Sequence, residues 1–338
     1  MRILVLGGTA FLSAEIARQA IAAGQRVTCL ARGTSGRPPE GAVWLQADRS
    51  LGANAYDDAA GEWDAVIEVA RDPALARDAL ESLAARSAHW TLVSSCSVYA
   101  DHSVPGAAEE AALLQPLTDG EASTPETYGE SKSAIESATA EIAGGKAHIV
   151  RAGLIAGPGD GSDRYGYWPA RFARDNTPVV VPDINTAPTQ VIDVRDLAAW
   201  ILKAAGLGIT GALNALGNQV PFSAYVAASR EAAGHTGPIL DAPPEWLAGQ
   251  GIAYWSGPDS LPLWLPPGHD GFMARSNQAA KAAGMVLRPW RETIADVLRD
   301  ERARGLNRPR NAGLAPETET RLARLLRVGG QASAGKVP

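Results

Sequence analysis

The sequence predicts an α/β fold, a doubly wound parallel sheet with a smaller C-terminal domain. Short aliphatic and β-branched runs alternate with helix-forming segments over the first 150 residues. The first run, residues 2–6, leads through two glycines directly into a helical pattern, as at the start of a strand–turn–helix unit. Residues 238–267 differ, because seven prolines and three of the nine tryptophans lie there. We expect that stretch to form an irregular folded cap without regular helix or strand.

The elements follow in order from apolar runs and apolar stripes. Short runs of β-forming residues predict strands at 2–6, 27–30, 43–46, 64–69, 90–94, 147–151 and 211–215. Apolar residues at helical spacing predict helices at 11–23, 74–86, 126–142, 196–205 and 290–304, and a further amphipathic stretch at 317–328. Parallel neighbours in a sheet need a crossover connection, and the predicted helices supply it.

Length and composition limit the classes of function. At 338 residues the chain has room for about two domains. A net charge of −6, with no block of lysine and arginine, argues against a nucleic-acid partner. No apolar run is long enough to span a membrane, so the cytoplasm is the expected location. Two cysteines, Cys29 and Cys96, and five dispersed histidines predict neither a disulfide framework nor a metal site.

The loop after the first strand is the first candidate site. Residues 7–13 read Gly-Gly-Thr-Ala-Phe-Leu-Ser and join a strand to a helix, where backbone N–H groups can hold the pyrophosphate of a dinucleotide. Only the first of the three usual glycines is present, so an ordinary strand–turn–helix is the alternative. The residues predicted to contact the cofactor here are Gly7, Thr9, Ala10, Phe11 and Leu12.

The end of the second strand bears on which dinucleotide binds. NAD-binding proteins usually have an acidic residue there that bonds the ribose 2′-hydroxyl, and this chain has none. Arg32, Ser35 and Arg37 can instead hold a 2′-phosphate. The pattern favours NADP(H), with NAD(H) as the second choice, and an exposed basic loop is the alternative.

A hydroxyl cluster and a Tyr–Lys pair form the candidate catalytic set. Residues 94–99 follow a strand at the sheet edge where ligands bind. Tyr128 and Lys132 are four residues apart on a predicted helix, hence on one face. An ammonium group near a phenol favours the phenolate, which suits Tyr128 to proton transfer, and Ser95 can hold the substrate oxygen. A surface tyrosine with an unrelated lysine is the alternative.

With these motifs the chain resembles the extended short-chain dehydrogenases/reductases, also called the NAD-dependent epimerase/dehydratase family. The resemblance runs from residue 1 to residue 304 and is strongest at 7–13, 94–99, 128–132, 151–160 and 192–198. It implies a Rossmann-type nucleotide domain and a triad of Ser95, Tyr128 and Lys132, with Tyr128 as acid/base and Lys132 bonded to the nicotinamide ribose. The other implied cofactor contacts are Asp48 and Arg49 near the adenine, Val69, Ala70 and Arg71 near the ribose, Ser94, and Leu154 near the nicotinamide.

Three departures from the family pattern affect the cofactor and the substrate. Ser13 stands in place of a loop glycine, and Ala152 stands where a proline or tyrosine is common. Members that act on nucleotide sugars usually have an arginine three residues before Ile192 to bind the phosphate, and this chain has Thr189. A nucleotide-sugar substrate is therefore less expected than the family name suggests.

The resemblance and the change in pattern also divide the chain. We expect an NAD(P)-binding domain at 1–156 with 178–216 returning to it, a substrate-binding or cap region at 157–177 and 217–305, and a C-terminal tail at 306–338. The residues expected to contact a small-molecule substrate are Ser97, Tyr99, Arg164, Tyr165, Tyr167 and Trp168. For the last four, core packing at the start of a helix is the alternative.

The leading functional prediction is an NADP(H)-dependent oxidoreductase, of the carbonyl reductase or alcohol dehydrogenase type, acting on a small-molecule ketone or alcohol. One alternative is an epimerase or dehydratase that retains NAD and acts on a sugar-like substrate. Another is a catalytically weak RNA-binding or redox-sensing regulator, which would fit the degenerate loop. Homodimers are common in the family, so a homodimer is an expectation by analogy.

Overall fold

A computed structural model describes residues 1–118 and 120–334, and it consists of strands and helices that alternate most regularly in the N-terminal half. The strands are β1 Arg2–Leu6, β2 Arg26–Leu30, β3 Val43–Leu45, β4 Ala65–Glu68, β5 Trp90–Ser95, β6 Ala147–Ala152, β7 Leu154–Ala156, β8 Val179–Pro182, β9 Pro188–Asp193, β10 Gly211–Ala215, β11 Gln219–Pro221, β12 Ile239–Ala242, β13 Ala253–Tyr254, β14 Gly257–Pro258, β15 Ser260–Leu261 and β16 Ala312–Gly313. The helices are α1 Phe11–Ala22, α2 Pro73–Leu83, α3 Tyr128–Ala143, α4 Tyr167–Arg174, α5 Val194–Leu207, α6 Phe222–Ala233, α7 Pro244–Gly249, α8 Gln278–Ala282, α9 Trp290–Arg304 and α10 Pro316–Ala334.

Seven strands form a parallel sheet in the order β10-β6-β5-β4-β1-β2-β3. Alternate residues of β1 enter different cores: Ile3 and Val5 join the core of α1 and α5, while Leu4 and Leu6 join the core of α2 and α3. Both faces of the strand are buried, which is why its sequence is an unbroken aliphatic run. The doubly wound parallel sheet predicted from the sequence is confirmed.

The chain divides into two compact units. The first contains residues 1–155, 190–218 and 274–288, and the second contains 156–189, 219–273 and the described residues from 289 onward. Residues 274–288, expected in the substrate region, lie in the first unit because α8 packs beside β10 and Ala280 enters the core of α1 and α5. Residues 178–189, expected in the nucleotide domain, lie in the second unit, where β8 pairs with β12.

Three helices, α4, α6 and α9, pack together in the second unit. Their contact includes Trp168, which is fully buried, meets Phe222 edge-on at 5.5 Å between ring centroids, and donates its indole N–H to the Pro262 carbonyl at 2.9 Å. Burying an indole without such an acceptor would leave an unsatisfied donor. The aromatic sequence around residue 167 therefore builds the interior of this unit.

The prediction of an irregular cap at 238–267 is wrong in its detail, since β12, α7 and three two-residue strands occur there. Prolines stand where they do not interrupt a helix: Pro243 precedes α7, and Pro244 occupies its first turn. A proline at that position loses no helical hydrogen bond and has its φ already set. Counting prolines therefore overestimated the irregularity of the segment.

The C-terminal segment is also more ordered than a tail. Helix α10 buries Leu322 completely and packs beside β8 and β12. Within the described residues no helix is long and apolar enough to cross a membrane. The same residues contain no group of three His, Cys, Asp or Glu side chains placed to hold a metal ion.

Candidate cofactor and catalytic site

The turn between β1 and α1 lies tightly against β2. Gly7 and Gly8 have φ values of 132° and 93°, and the Gly7 N–H donates to the Leu30 carbonyl at 2.9 Å. A Cβ added to Gly8 would lie 2.4 Å from the Cys29 Sγ atom, so a side chain is excluded there by contact as well as by φ. This glycine fixes where helix α1 begins relative to the sheet.

The N-terminus of α1 is open to an anion. Its N-cap residue, Ala10, makes no side-chain cap hydrogen bond, and its first turn carries no acidic residue. The first backbone N–H groups of a helix have no partner within the helix, and they carry the positive end of the helix dipole. Ser13, the departure from the family glycine, donates its hydroxyl to the Ala10 carbonyl at 2.9 Å and is accommodated. The loop therefore fits a dinucleotide pyrophosphate.

The basic loop after β2 lies beside this turn. A Cβ added to Gly36 would be 3.7 Å from the Thr9 carbonyl oxygen, and Arg32, Ser35 and Arg37 are all exposed. Asp48 caps the 3₁₀ turn Arg49–Tyr56 by accepting from the Ser50 N–H at 3.0 Å. Those hydrogen bonds, and then the charge of Arg32, lower the pKa of Asp48. Arg32 thus lies close enough to the Asp48 carboxylate to interact with it electrostatically.

Arg49 points into the protein, contrary to the role implied by the resemblance. Its guanidinium donates to Glu68 Oε1 at 2.9 Å, to the Tyr56 hydroxyl at 2.9 Å and to the Leu75 carbonyl at 2.8 Å. Glu68, at the end of β4, is 1% exposed and also accepts from the Ala70 N–H at 2.7 Å. The pair therefore shapes the turn after β4. The sequence contained one signal for this ion pair: Glu68 stands in an otherwise aliphatic strand, and a charge buried there needs a partner.

The residues of that turn differ in exposure. Val69 is half-buried, Ala70 is buried, and Arg71 is exposed. The carbonyl of Ala70 accepts a hydrogen bond from Lys132 Nζ. The turn predicted to pass the cofactor ribose is therefore connected directly to the candidate catalytic lysine.

The hydroxyls after β5 divide into two pairs. Ser94 is buried and donates to Glu136 Oε1 at 2.6 Å, on helix α3. Ser95 and Ser97 are half-buried and bonded to each other, with both the Ser97 N–H and the Ser97 hydroxyl 3.1 Å from Ser95 Oγ. Ser95 and Ser97 are therefore placed at a surface that a substrate can reach, whereas Ser94 supports the structure beneath.

Helix α3 begins against this serine turn. A Cβ added to Gly129 would lie 2.4 Å from the Ser97 carbonyl oxygen, so only glycine permits the approach. The preceding residue, Tyr128, is half-buried and is the first residue of the helix. The structure thus brings the start of α3, where Tyr128 stands, next to the Ser97 carbonyl.

Lys132 lies one helical turn further on, almost fully buried at 2% exposed. Its Nζ donates to the Ala70 carbonyl at 2.5 Å, in the turn after β4, and to the Val93 carbonyl at 2.8 Å, within the neighbouring strand β5. Burial lowers the pKa of Lys132 to about 8, opposed by the nearby Glu68. The ammonium is therefore held at a fixed place by a residue one helical turn from Tyr128.

Tyr99 lies under the serine turn. It is 1% exposed, donates its hydroxyl to Asn214 Oδ1 at 2.7 Å, and accepts from Arg151 Nη1 at 3.1 Å. Arg151 in turn pairs with Glu136, at 2.8 Å. These contacts place Tyr99 among the supports of the turn, so the structure does not bring it to the same surface as Ser97.

The predicted substrate residues of the second unit are mostly interior. Tyr167 and Trp168 are buried with ring centroids 5.1 Å apart, and Tyr165 is buried beside Tyr225 at 4.7 Å. The guanidinium of Arg164 lies 4.9 Å from the centroid of the Trp255 ring. For Tyr167 and Trp168 these contacts support the core-packing interpretation. Leu154, the predicted neighbour of the nicotinamide, is 4% exposed in β7 of the first unit.

Several solved structures share this fold. A candidate epimerase from Burkholderia cenocepacia J2315 superposes with a TM-score of 0.68 at 21% identity, covering 89% of this chain and 98% of that one. The UDP-glucuronic acid 4-epimerase from Bacillus cereus, solved with NAD, gives 0.65 at 13% identity, covering 91% and 100%. The UDP-glucose 4-epimerase from Thermus thermophilus, also solved with NAD, gives 0.60 at 19% identity, covering 89% and 99%.

At these identities the likeness shows a common fold and nothing finer. No curated protein matches the sequence. The sequence profile of the NAD dependent epimerase/dehydratase family matches residues 3–212, which is more than half of the chain and includes the phosphate loop, the serine turn and the Tyr–Lys helix. The resemblance noted in the sequence is thereby confirmed, and the chain belongs to the NAD dependent epimerase/dehydratase family.

Proposed function

We propose that this chain is an enzyme of the epimerase/dehydratase type that keeps a nicotinamide dinucleotide bound and uses Tyr128 to move the proton of a substrate hydroxyl. The observation that carries the proposal is the placement of Lys132: a buried ammonium, bonded to the Ala70 and Val93 carbonyls, one turn from Tyr128. The solved epimerases with NAD and the family profile support NAD as the cofactor.

The cofactor and the residues of the site have separate roles in the proposed reaction. The nicotinamide, when bound, supplies the hydride acceptor and donor. Lys132 favours the phenolate of Tyr128, because a nearby positive charge stabilises the deprotonated form. Tyr128 then accepts the proton of the substrate hydroxyl and later returns it, while Ser95 donates a hydrogen bond to the same oxygen. The open N-terminus of α1 would bind the pyrophosphate, which orients the cofactor.

The substrate proposed is a hydroxylated, sugar-like small molecule that need not carry a nucleotide. Thr189 occupies the position where nucleotide-sugar members have a phosphate-binding arginine. It is 4% exposed and donates its hydroxyl to the Val220 carbonyl at 2.8 Å. A buried, satisfied threonine offers no charge to a diphosphate, so this position gives no reason to expect one.

A second candidate function is the NADP(H)-dependent reductase acting on a ketone or alcohol. It is favoured by one observation, the exposed side chains of Arg32, Ser35 and Arg37 in a loop that lies beside the phosphate-binding turn. Two guanidinium groups and a hydroxyl suit a 2′-phosphate. A reductase must exchange its cofactor at each turnover, whereas an epimerase retains it.

The nucleotide content of the purified protein tests these proposals. Denaturing the protein and identifying the released nucleotide by mass spectrometry should give NAD at close to one molecule per chain. If the chain is instead the reductase, no nucleotide is retained, NADPH binds at least tenfold more tightly than NADH, and the double variant Arg32→Ala/Arg37→Ala removes that preference. A chain that neither retains nor binds either dinucleotide contradicts both proposals.

Tyr128→Phe is the matched test of the chemistry. The substitution removes only the hydroxyl, so the variant should keep the wild-type nucleotide content. Its turnover of any substrate found should fall about 100-fold or more, the usual contribution of a general acid/base.

A further inference from the structure

A cavity of about 380 Å³ in the second unit belongs to none of the sites described above. It lies between the end of α4, the loop at 306–315 and the start of α10. The charged or hydroxyl-bearing residues that line it are Tyr167, Arg171, Arg174, Asp259, Arg308 and Arg310. Four arginines and one carboxylate therefore face the cavity, and four further carboxylates, Asp163, Asp175, Glu301 and Glu319, form ion pairs with those arginines.

Carboxylates behind the wall hold these arginines in place. Arg171 and Arg174 both pair with Glu319, the latter at 3.1 Å. Arg308 and Arg310 both pair with Glu301, at 3.0 Å and 2.9 Å. Glu301 and Glu319 are each 2% exposed and are not among the residues that line the cavity. The two glutamates hold the arginines in place by charge. Because the glutamates do not line the cavity, the guanidinium groups face it.

Asp163 reinforces the second pair of arginines. It is 1% exposed and forms ion pairs with Arg308 and with Arg310, the latter at 3.5 Å. Asp259, the one carboxylate on the wall, accepts a hydrogen bond from the Ala315 N–H at 3.0 Å. One of its two oxygens is therefore already used by the backbone at the start of α10.

Two donors of this wall have no acceptor: within the described part of the chain, the Tyr167 hydroxyl and Arg308 Nε make no hydrogen bond. The terminal nitrogens of Arg310 are ion-paired with Asp163 and Glu301 but make no hydrogen bond of good geometry. Tyr167 is 2% exposed, and burial raises its pKa, so the hydroxyl stays a donor. Buried donors without acceptors are rare in folded proteins and point to a missing partner that accepts hydrogen bonds.

The N-terminus of helix α10 also lies at the cavity. The helix runs from Pro316 to Ala334, and its first residue and the preceding Ala315 line the cavity. The N-terminus of so long a helix carries a partial positive charge, which Glu317 and Glu319 in its first turn partly offset. The buried donors and the helix end thus point to the same chemistry from different elements.

We propose that this cavity binds a small phosphate-bearing molecule. Guanidinium groups bind phosphate oxygens through paired hydrogen bonds, and rigidly held arginines lose little conformational freedom in doing so. A volume of about 380 Å³ lies at the small end of the range for metabolite sites, enough for a phosphate and a few carbon atoms. The site consists only of residues of the second unit, and the proposal is independent of the reaction proposed above.

Calorimetric titration tests the site. Inorganic phosphate and glycerol 3-phosphate are titrated separately into the full chain, with sodium chloride keeping the ionic strength constant. One saturable site is expected in the wild type, and Arg310→Gln should bind at least tenfold more weakly. Arg299→Gln is the matched control, since that arginine is 76% exposed on α9 and does not line the cavity; it should bind as the wild type does.

Tyr167→Phe separates binding from folding. Within the described residues the hydroxyl makes no hydrogen bond of good geometry, so its removal should leave the midpoint of thermal unfolding nearly unchanged while affinity falls several-fold. Tighter binding of glycerol 3-phosphate would identify an organic phosphate as the ligand, and equal affinities would identify phosphate itself. No saturable heat from either ligand overturns the proposal. Unchanged affinity in both Arg310→Gln and Tyr167→Phe overturns it as well.

Discussion

A single buried lysine links the local sequence to the proposed chemistry. The spacing of Tyr128 and Lys132 predicted only that they share a helix face. The structure adds that the ammonium of Lys132 bonds to one carbonyl in the turn after β4 and one within β5, which no local pattern reveals. Long-range partners of this kind depend on strand order, and strand order is set by packing of the whole sheet.

The titration of Lys132 should make stability depend on pH. Burial lowers its pKa from 10.5 to about 8, so from pH 8 to 10 the unfolded chain binds more protons than the folded chain at this position. The contribution of Lys132 to stability therefore rises with pH in that window and is constant below it. A pKa difference of this size corresponds to about 3 kcal/mol as an upper bound.

Urea unfolding of the wild type and Lys132→Met at pH 7, 8, 9 and 10 measures this effect. The wild type should gain stability relative to the variant as pH rises, by as much as about 3 kcal/mol at pH 10. The variant serves as the reference for all other titrating groups. A stability difference that is constant, or that shrinks with pH, would contradict the burial argument.

Other residues at the site show where sequence reasoning fails. Arg49 and Tyr99 were assigned to ligands because they match or neighbour family motifs, yet both are held by buried partners. In each case the deciding residue, Glu68 or Asn214, comes from a distant strand. Which polar group satisfies another in the interior depends on tertiary contacts, so a motif alone does not separate a ligand contact from a support.

At the scale of elements, prediction succeeded for the strands of the seven-stranded parallel sheet. All seven predicted strands are present, with bounds that differ by at most one residue. The strands missed, β7 to β9 and β11 to β16, lie outside that sheet, and all except β9, which begins at Pro188, are two to four residues long. A run of so few residues carries too little periodicity to be recognised. Which strand it pairs with depends on residues that are far away in the sequence.

Helix α10 offers a test of how elements are held. Leu322 is fully buried, whereas Leu325, three residues further on the same helix, is 39% exposed. Leu322→Ala should lower the free energy of unfolding by about 2–5 kcal/mol, because it leaves a cavity in the core. Leu325→Ala, with the same change in helix propensity, should cost under about 1 kcal/mol. Urea unfolding of both variants gives the comparison, and equal losses would show that α10 is not packed on its Leu322 side.

At the scale of the whole molecule, the regulator alternative conflicts with two properties of the chain. Redox sensing through cysteine needs an accessible thiolate. Both cysteines are buried, and burial raises the pKa of Cys29 and of Cys96 to about 12. Neither thiol is therefore suited to react at neutral pH. Redox sensing through a cysteine is therefore disfavoured. RNA binding, the other part of the alternative, depends on charge summed over the surface.

That charge predicts the outcome of an RNA-binding experiment. Binding without sequence preference depends on lysines and arginines that displace counterions from phosphates, and the chain has 31 of these against 37 acidic residues. The arginines of the second-unit cavity are moreover paired with buried carboxylates, so they do not form an open basic surface. We expect no binding of a single-stranded RNA up to about 100 µM protein at physiological salt, measured by fluorescence anisotropy. Lowering the salt should not reveal a steep dependence, because few counterions would be released. Binding that weakens strongly with added salt would instead show a basic surface formed by part of the chain, and would restore the regulator as a competitor to the enzyme.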